Sequence, residues 1–159
     1  MKKNLLLLFI LSIILAACNN IDPVTYNDNL VEYSNDADAR IDLFHEKLDV
    51  IISNDDFSQI KDIERETIDS INVDLAKINN LKQPRSAESF HNATLSYVES
   101  LIPYVKEISD VYTKINDEIE VDDNSYSNIE RTDSIREAKL NDMIETQKSF
   151  AKAKGFGLE

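Results

Sequence analysis

The chain has 159 residues, 30 of them acidic against 17 basic, for a formal charge of −13. A field of that sign repels nucleic-acid phosphates and anionic lipid headgroups, which argues against a nucleic-acid partner. Its two glycines, Gly155 and Gly157, both lie near the C-terminal end. A sheet-rich domain needs turn-forming residues every ~8–12 positions, so an all-α chain is expected.

Residues 1–17 have the three parts of a secretory leader: Lys2 and Lys3, an apolar run over residues 5–15, and small residues before Cys18. As a helix the apolar run would reach roughly 17 Å, short of the ~30 Å core of a bilayer. It is expected to be removed as a signal peptide rather than to span a membrane. Leu15-Ala16-Ala17-Cys18 resembles the lipobox of bacterial lipoproteins, in which the cysteine thiol is acylated and the preceding leader cut away. Two acyl chains suffice for stable anchoring, at ~0.8 kcal/mol per buried CH₂. Cys18 is thus the expected lipidation site, and the cell envelope, at the outer membrane facing periplasm or surface, the expected location. Cys18 is also the only cysteine, which rules out a disulfide within the chain. Loss of Lys2 and Lys3 with the leader takes the formal charge from −13 to −15. The expected organisation is a signal peptide over 1–17, a lipidated N-terminus and short linker over 18–22, a helical bundle over 23–154 and a tail over 155–159.

The first helix is expected to open at Asp22-Pro23, with Asp22 as N-cap and Pro23 at the first helical position. Tyr26, Leu30, Tyr33, Ala37, Ile41, Phe44, Leu48 and Ile51 recur in steps of three and four, the spacing of one buried helix face. Ser53-Asn54-Asp55 favours a stop. Asp56 and Gln59 resemble a capping box for a second helix faced by Phe57, Ile60, Ile63, Thr67, Ile68, Ile71, Leu75, Ile78 and Leu81. Pro84 makes residues 82–85 a tight connection, with Ser86 as the expected cap of the third helix. That helix carries Phe90, Thr94, Tyr97, Leu101, Tyr104, Ile108, Val111, Ile115 and Ile119, widened by Val98, Ile102, Val105 and Tyr112. So broad a face implies two neighbours. Pro103 is expected to kink it without breaking it, because the apolar phase continues across it. After a polar link over 120–125, Ser127 and Glu130 read as a second capping box. The fourth helix has the poorest face: Ile129, Thr132, Ile135, Leu140, Met143, Ile144, Phe150 and Ala151. Gly155 is its expected C-cap. Four helices on the order of 25–33 residues, joined by short links, imply an antiparallel up-down-up-down four-helix bundle.

Bundles can hold di-iron sites through Glu-x-x-His motifs on two helices. Glu88-Ser89-Phe90-His91 fits that pattern and Asp42-Leu43-Phe44-His45 approaches it. In the expected topology the two histidines differ by roughly 25 Å in height, too far to share one ion, so no metal site is expected. The acidic link at Glu120-Val121-Asp122-Asp123-Asn124 lacks the glycine of an EF-hand loop. No nucleophile elbow or glycine-rich phosphate cradle is present, so neither a catalytic residue nor a cofactor is expected. The six tyrosines fall mostly on the apolar stripes, as packing residues with hydroxyls at the core boundary. The alternative reading is a groove lined by Tyr97 and Tyr104 where the fourth helix packs poorly, with Arg136 and Gln147 as its polar members.

The mature chain also resembles a family of uncharacterised bacterial surface lipoproteins of the leptospira and Bacteroidetes type. The resemblance rests on Val24-Thr25-Tyr26-Asn27-Asp28, Leu81-Lys82-Gln83-Pro84, Phe90-His91-Asn92-Ala93 and Gln147-Lys148-Ser149-Phe150-Ala151. It implies an all-helical, surface-exposed lipoprotein without an assigned activity. The expected role is non-enzymatic: a domain held to the membrane by its lipid anchor that binds or scaffolds a protein partner. The alternative is a small-molecule or cation binding protein using a bundle cavity.

Overall fold

Asp22 starts the first helix. Its carboxylate accepts from the Thr25 backbone N–H at 2.9 Å and from the Thr25 hydroxyl at 2.7 Å, while Pro23 takes the first helical position. These bonds satisfy donors that a helix N-terminus leaves orphaned. The computed structural model describes residues 21–158. The leader and Cys18, on which the lipidation expectation rests, lie outside the described residues.

The described residues are all-helical: α1 (Pro23–Asn54), a 3₁₀ turn (Phe57–Gln59), α2 (Ile60–Asn80), a second 3₁₀ turn (Arg85–Ala87), α3 (Glu88–Asn116) and α4 (Asp123–Lys154). Asp55 ends α1 in the left-handed region at φ 51°, and Gly155 ends α4 at φ 75°. At Gly155 the missing Cβ makes that geometry inexpensive.

Several local expectations are corrected. Asp56 caps the 3₁₀ turn through the Ser58 N–H at 3.1 Å, so α2 starts only at Ile60 and has 21 residues, fewer than expected. Ser86 caps nothing; it sits inside the second 3₁₀ turn, and α3 opens without a side-chain cap. Asp122, not Ser127, caps α4, accepting from the Ser125 N–H at 3.0 Å. Ser127 lies within the helix and donates to the Asp123 carbonyl at 2.9 Å. An aspartate within the acidic link competes better for the orphan N–H groups than a serine five residues on. The stripe of α3 also ends earlier than its periodicity suggests: Ile115 is 39% and Ile119 55% exposed, the latter beyond the helix. The helix runs unbroken through Pro103, which faces solvent.

One apolar core is shared by all four helices. Tyr26, Leu30 and Phe44 come from α1, Ile71 and Ile78 from α2, Phe90, Tyr97 and Leu101 from α3, and Met143 and Phe150 from α4. Full burial of such side chains contributes about 1.5–3 kcal/mol each. The third helix is the central one, packing broadly on both α2 and α4, as its wide apolar face requires. The fourth packs chiefly on α3 and only lightly on α1. Among the described residues no helix is long and apolar enough to cross a membrane.

Polar contacts fix the register. Lys77, late in α2, reaches Asp36, early in α1, at 3.2 Å, and Lys47 reaches Glu66 at 2.7 Å. The Ser109 hydroxyl, late in α3, donates to Glu64, early in α2, at 2.7 Å. Lys114 donates to the Ser125 hydroxyl at 2.7 Å. At the opposite end Gln147 donates to Asn27 at 3.0 Å.

Candidate functional site

The light packing of α4 on α1 leaves a seam whose floor is α3, and most of the unusual polar chemistry gathers there. Tyr97 of α3 is fully buried, and its hydroxyl donates to the Asp38 carboxylate of α1. Burial pushes the Asp38 carboxyl above its usual range, the Tyr97 hydroxyl and Arg136 pull it back, and Asp42 adds to the upward push. The Tyr97 phenol is held well above its ordinary value, first by burial and then by Asp38. It is therefore a donor and not a nucleophile.

About two helical turns further along α3, Tyr104 lies beneath Arg136 of α4, whose guanidinium carbon sits 5.4 Å from the ring centroid. Such stacking adds attraction that lysine would supply less well. Arg136 also donates to Asp133 through Nε at 2.9 Å and through Nη2 at 2.8 Å. The Tyr104 hydroxyl pairs with His45 Nε2 of α1 at 3.2 Å. Thus three of the four residues expected to line a groove, Tyr97, Tyr104 and Arg136, converge. Gln147 does not join them. It lies eleven positions beyond Arg136, roughly 16 Å along α4, where it bonds Asn27.

The main hollows are lined by other residues, apart from one of about 640 Å³ that includes Gln147, Asn27, Val24 and Val31. Every buried side-chain nitrogen or oxygen among the described residues has a hydrogen-bond partner. Among those residues no group of three or more His, Cys, Asp or Glu is placed to hold a metal ion. His91, the other histidine weighed as a ligand, is buried near the start of α3, with Nδ1 2.7 Å from the Tyr26 hydroxyl.

Sequence reasoning missed Asp38, which sits one position off the α1 stripe, and Asp74, whose side chain is wholly buried. Asp74 accepts from Lys77 at 2.6 Å and from Arg40 at 3.4 Å. The available signal was the Asp74–Lys77 spacing of three, one helical turn apart. For Asp38 no signal existed, because its partner is 59 residues away.

Chemically the seam can donate and accept hydrogen bonds and present a cation at its mouth. It offers no activated nucleophile. Comparison of the chain with protein-family models, curated proteins and solved structures finds no match.

Proposed function

We propose that this protein is a non-enzymatic bacterial lipoprotein, held to the outer membrane through acylated Cys18, whose up-down-up-down four-helix bundle binds a protein partner. The observation that carries the reading is Leu15-Ala16-Ala17-Cys18 behind a short apolar leader. The register of the helices supports the bundle topology, since these contacts between neighbours in sequence join the early part of one helix to the late part of the other. Similarity to surface lipoproteins of the leptospira and Bacteroidetes type is part of the same proposal.

A partner is favoured over a small-molecule cargo because the polar members of the seam are engaged within the protein, Tyr97 with Asp38 and Arg136 with Asp133. Apolar side chains instead stand exposed at the end remote from Cys18: Val50 at 60%, Ile119 at 55% and Tyr126 at 51%. They flank the links that carry Asp55, Asp56, Asp117, Glu118 and Asp122. An apolar anchor ringed by acids fits a basic partner surface.

The decisive experiment is metabolic labelling with palmitate together with membrane fractionation. Wild type is expected to take up label and pellet with membranes, whereas Cys18→Ser is expected to do neither. An unlabelled wild type would sink the proposal.

A further inference from the structure

The charges of this acidic chain are unevenly distributed: two acid-free segments lie at one end of the bundle, beside an α1 start that carries Asp22, Asp28, Glu32 and Asp36. Residues 75–87 carry Lys77, Lys82 and Arg85 and no acid, and residues 146–158 carry Lys148, Lys152 and Lys154 and no acid. Residues 115–130, at the other end, carry six acids and no lysine or arginine. The two basic segments meet. A hollow of about 780 Å³ is lined by Lys82, Arg85 and Lys154 together with Ile21, Asp22 and Pro23. Asp22 is the one carboxylate in that lining, and Thr25 already holds it.

Helix dipoles account for some of this pattern, since α2 and α4 both end here and cations suit helix C-termini. They do not account for how the cations are engaged. Toward the other end Lys47, Lys61 and Arg65 each have a carboxylate within 2.8 Å, while Lys114 and Arg131 bond Ser125 and Asn128. Among the described residues Arg85, Lys148, Lys152 and Lys154 have no ion-pair partner, and all four are exposed. Beside them Val24 and Leu158 expose apolar surface, at 43% and 39%, around a neighbouring hollow that Asp28, Glu32 and Asp36 also line. Unpaired cations next to exposed apolar side chains are the composition of a surface that sits at a membrane interface.

Position agrees. Ile21 follows Cys18 by three residues, at most about 11 Å of extended chain. The acidic end does not prevent contact: α1 alone has 32 residues, so the opposite pole lies on the order of 40 Å away, several Debye lengths at physiological ionic strength.

We propose that the end face bearing Lys82, Arg85, Lys152 and Lys154 binds the phosphate groups of anionic phospholipids and stands the bundle on the bilayer with its acidic end outward. The proposal rests on the lipid-anchor reading and adds a second, electrostatic contact to it. One acyl-anchored point fixes distance from the membrane but not orientation; a charged face beside it fixes both.

The test uses the mature chain from position 18 with Cys18→Ser, so that no acyl chain contributes. It is sedimented with vesicles of phosphatidylglycerol and phosphatidylcholine, or of phosphatidylcholine alone. Binding is expected only with phosphatidylglycerol, and it should weaken as salt rises. Each cation near an anionic surface is worth about fivefold, so Arg85→Gln/Lys152→Gln/Lys154→Gln should lose on the order of 100-fold. The control Lys47→Gln/Lys61→Gln/Arg65→Gln should bind as the parent does, with circular dichroism verifying that both variants are helical. Equal binding by the two variants, or no preference for phosphatidylglycerol, overturns the proposal. Inorganic phosphate should displace the protein no better than chloride at equal ionic strength; specific displacement would overturn the lipid assignment in favour of a free-phosphate site. Palmitate labelling of wild type is independent of these cations. A labelled protein without lipid selectivity refutes this contact alone, and an unlabelled one refutes the anchor.

Discussion

Tyr97 of α3 donates its hydroxyl to the Asp38 carboxylate of α1, joining two helices whose sequence positions differ by 59. The bond closes the floor of the α1–α4 seam at a fully buried ring. Tyr97→Phe removes the donor and keeps the ring, leaving a half-buried carboxylate short of a partner. Such an orphan costs about 1–3 kcal/mol, so Tyr97→Phe should lower the urea midpoint measurably. Asp38→Asn can still accept from Tyr97 and should lose less. A raised folded-state pKa has a definite sign. Stability from Asp38 is fully present below its unfolded value of 3.8 and is lost as pH rises through the higher folded one. Wild type should therefore lose ground against Asp38→Asn as pH climbs from 4 toward neutrality. A gap that widens instead would show that Tyr97 and Arg136 outweigh burial.

His91 should make the protein acid-sensitive in a different window. It is buried beside the Tyr26 hydroxyl, and burial lowers its pKa below the ordinary 6.5. Protons then bind the unfolded chain more readily than the folded one between the folded value and 6.5. Stability from this group is present above 6.5 and falls as pH drops through that interval. The urea midpoint should decline between pH 7.5 and 5.5, and His91→Phe should flatten that decline. The stacked ring of Tyr26, 6.3 Å away, gives the phenylalanine something to pack against.

Asp74 tests the asymmetry of buried charge. Its side chain is wholly buried, while those of Arg40 and Lys77 are 38% and 37% exposed. The hydrogen bond to Asp74 leads the causes that raise the Lys77 pKa. Removing both cations strands the carboxylate, a loss of about 3–5 kcal/mol for an uncompensated buried charge. Removing the carboxylate lets both cations return to water. Arg40→Ala/Lys77→Ala should therefore destabilise the protein clearly more than Asp74→Leu, which replaces the charge by apolar volume. Equal losses in chemical denaturation would mean that packing, not charge, dominates at this position.

How much of this was legible beforehand divides along a physical line. Helix identity and buried faces follow from local periodicity, and α1 matches its stripe nearly residue for residue, with only Tyr33 left half-buried. Caps were legible where one candidate stood alone, as at Asp22 and Gly155. Where several polar residues compete, as along residues 117–127, periodicity cannot choose among them, and Asp122 displaced Ser127. The seam was half legible: tyrosines on a wide face beside a poor fourth helix pointed to it. Its partners Asp38, His45 and Asp133 are set by helix register, which is a tertiary quantity. Gln147 fell on the right helix but at the wrong height, since a stripe specifies a face and not a level.

Pro103 is the one residue that works against its own helix. It lacks the N–H that would bond the Glu99 carbonyl, and its ring crowds that turn, yet α3 continues through it from Glu88 to Asn116. The side chain faces solvent, so little packing offsets the backbone cost. Proline is about 3 kcal/mol poorer than alanine in a helix interior. Part of that difference is offset by proline restricting the unfolded chain. Pro103→Ala should accordingly raise stability by about 1–3 kcal/mol, read as a higher urea midpoint at unchanged slope. A variant that loses stability would show that the helices on either side of α3 are shaped to the bend proline imposes, and that the central helix cannot straighten without breaking its contacts with α2 and α4.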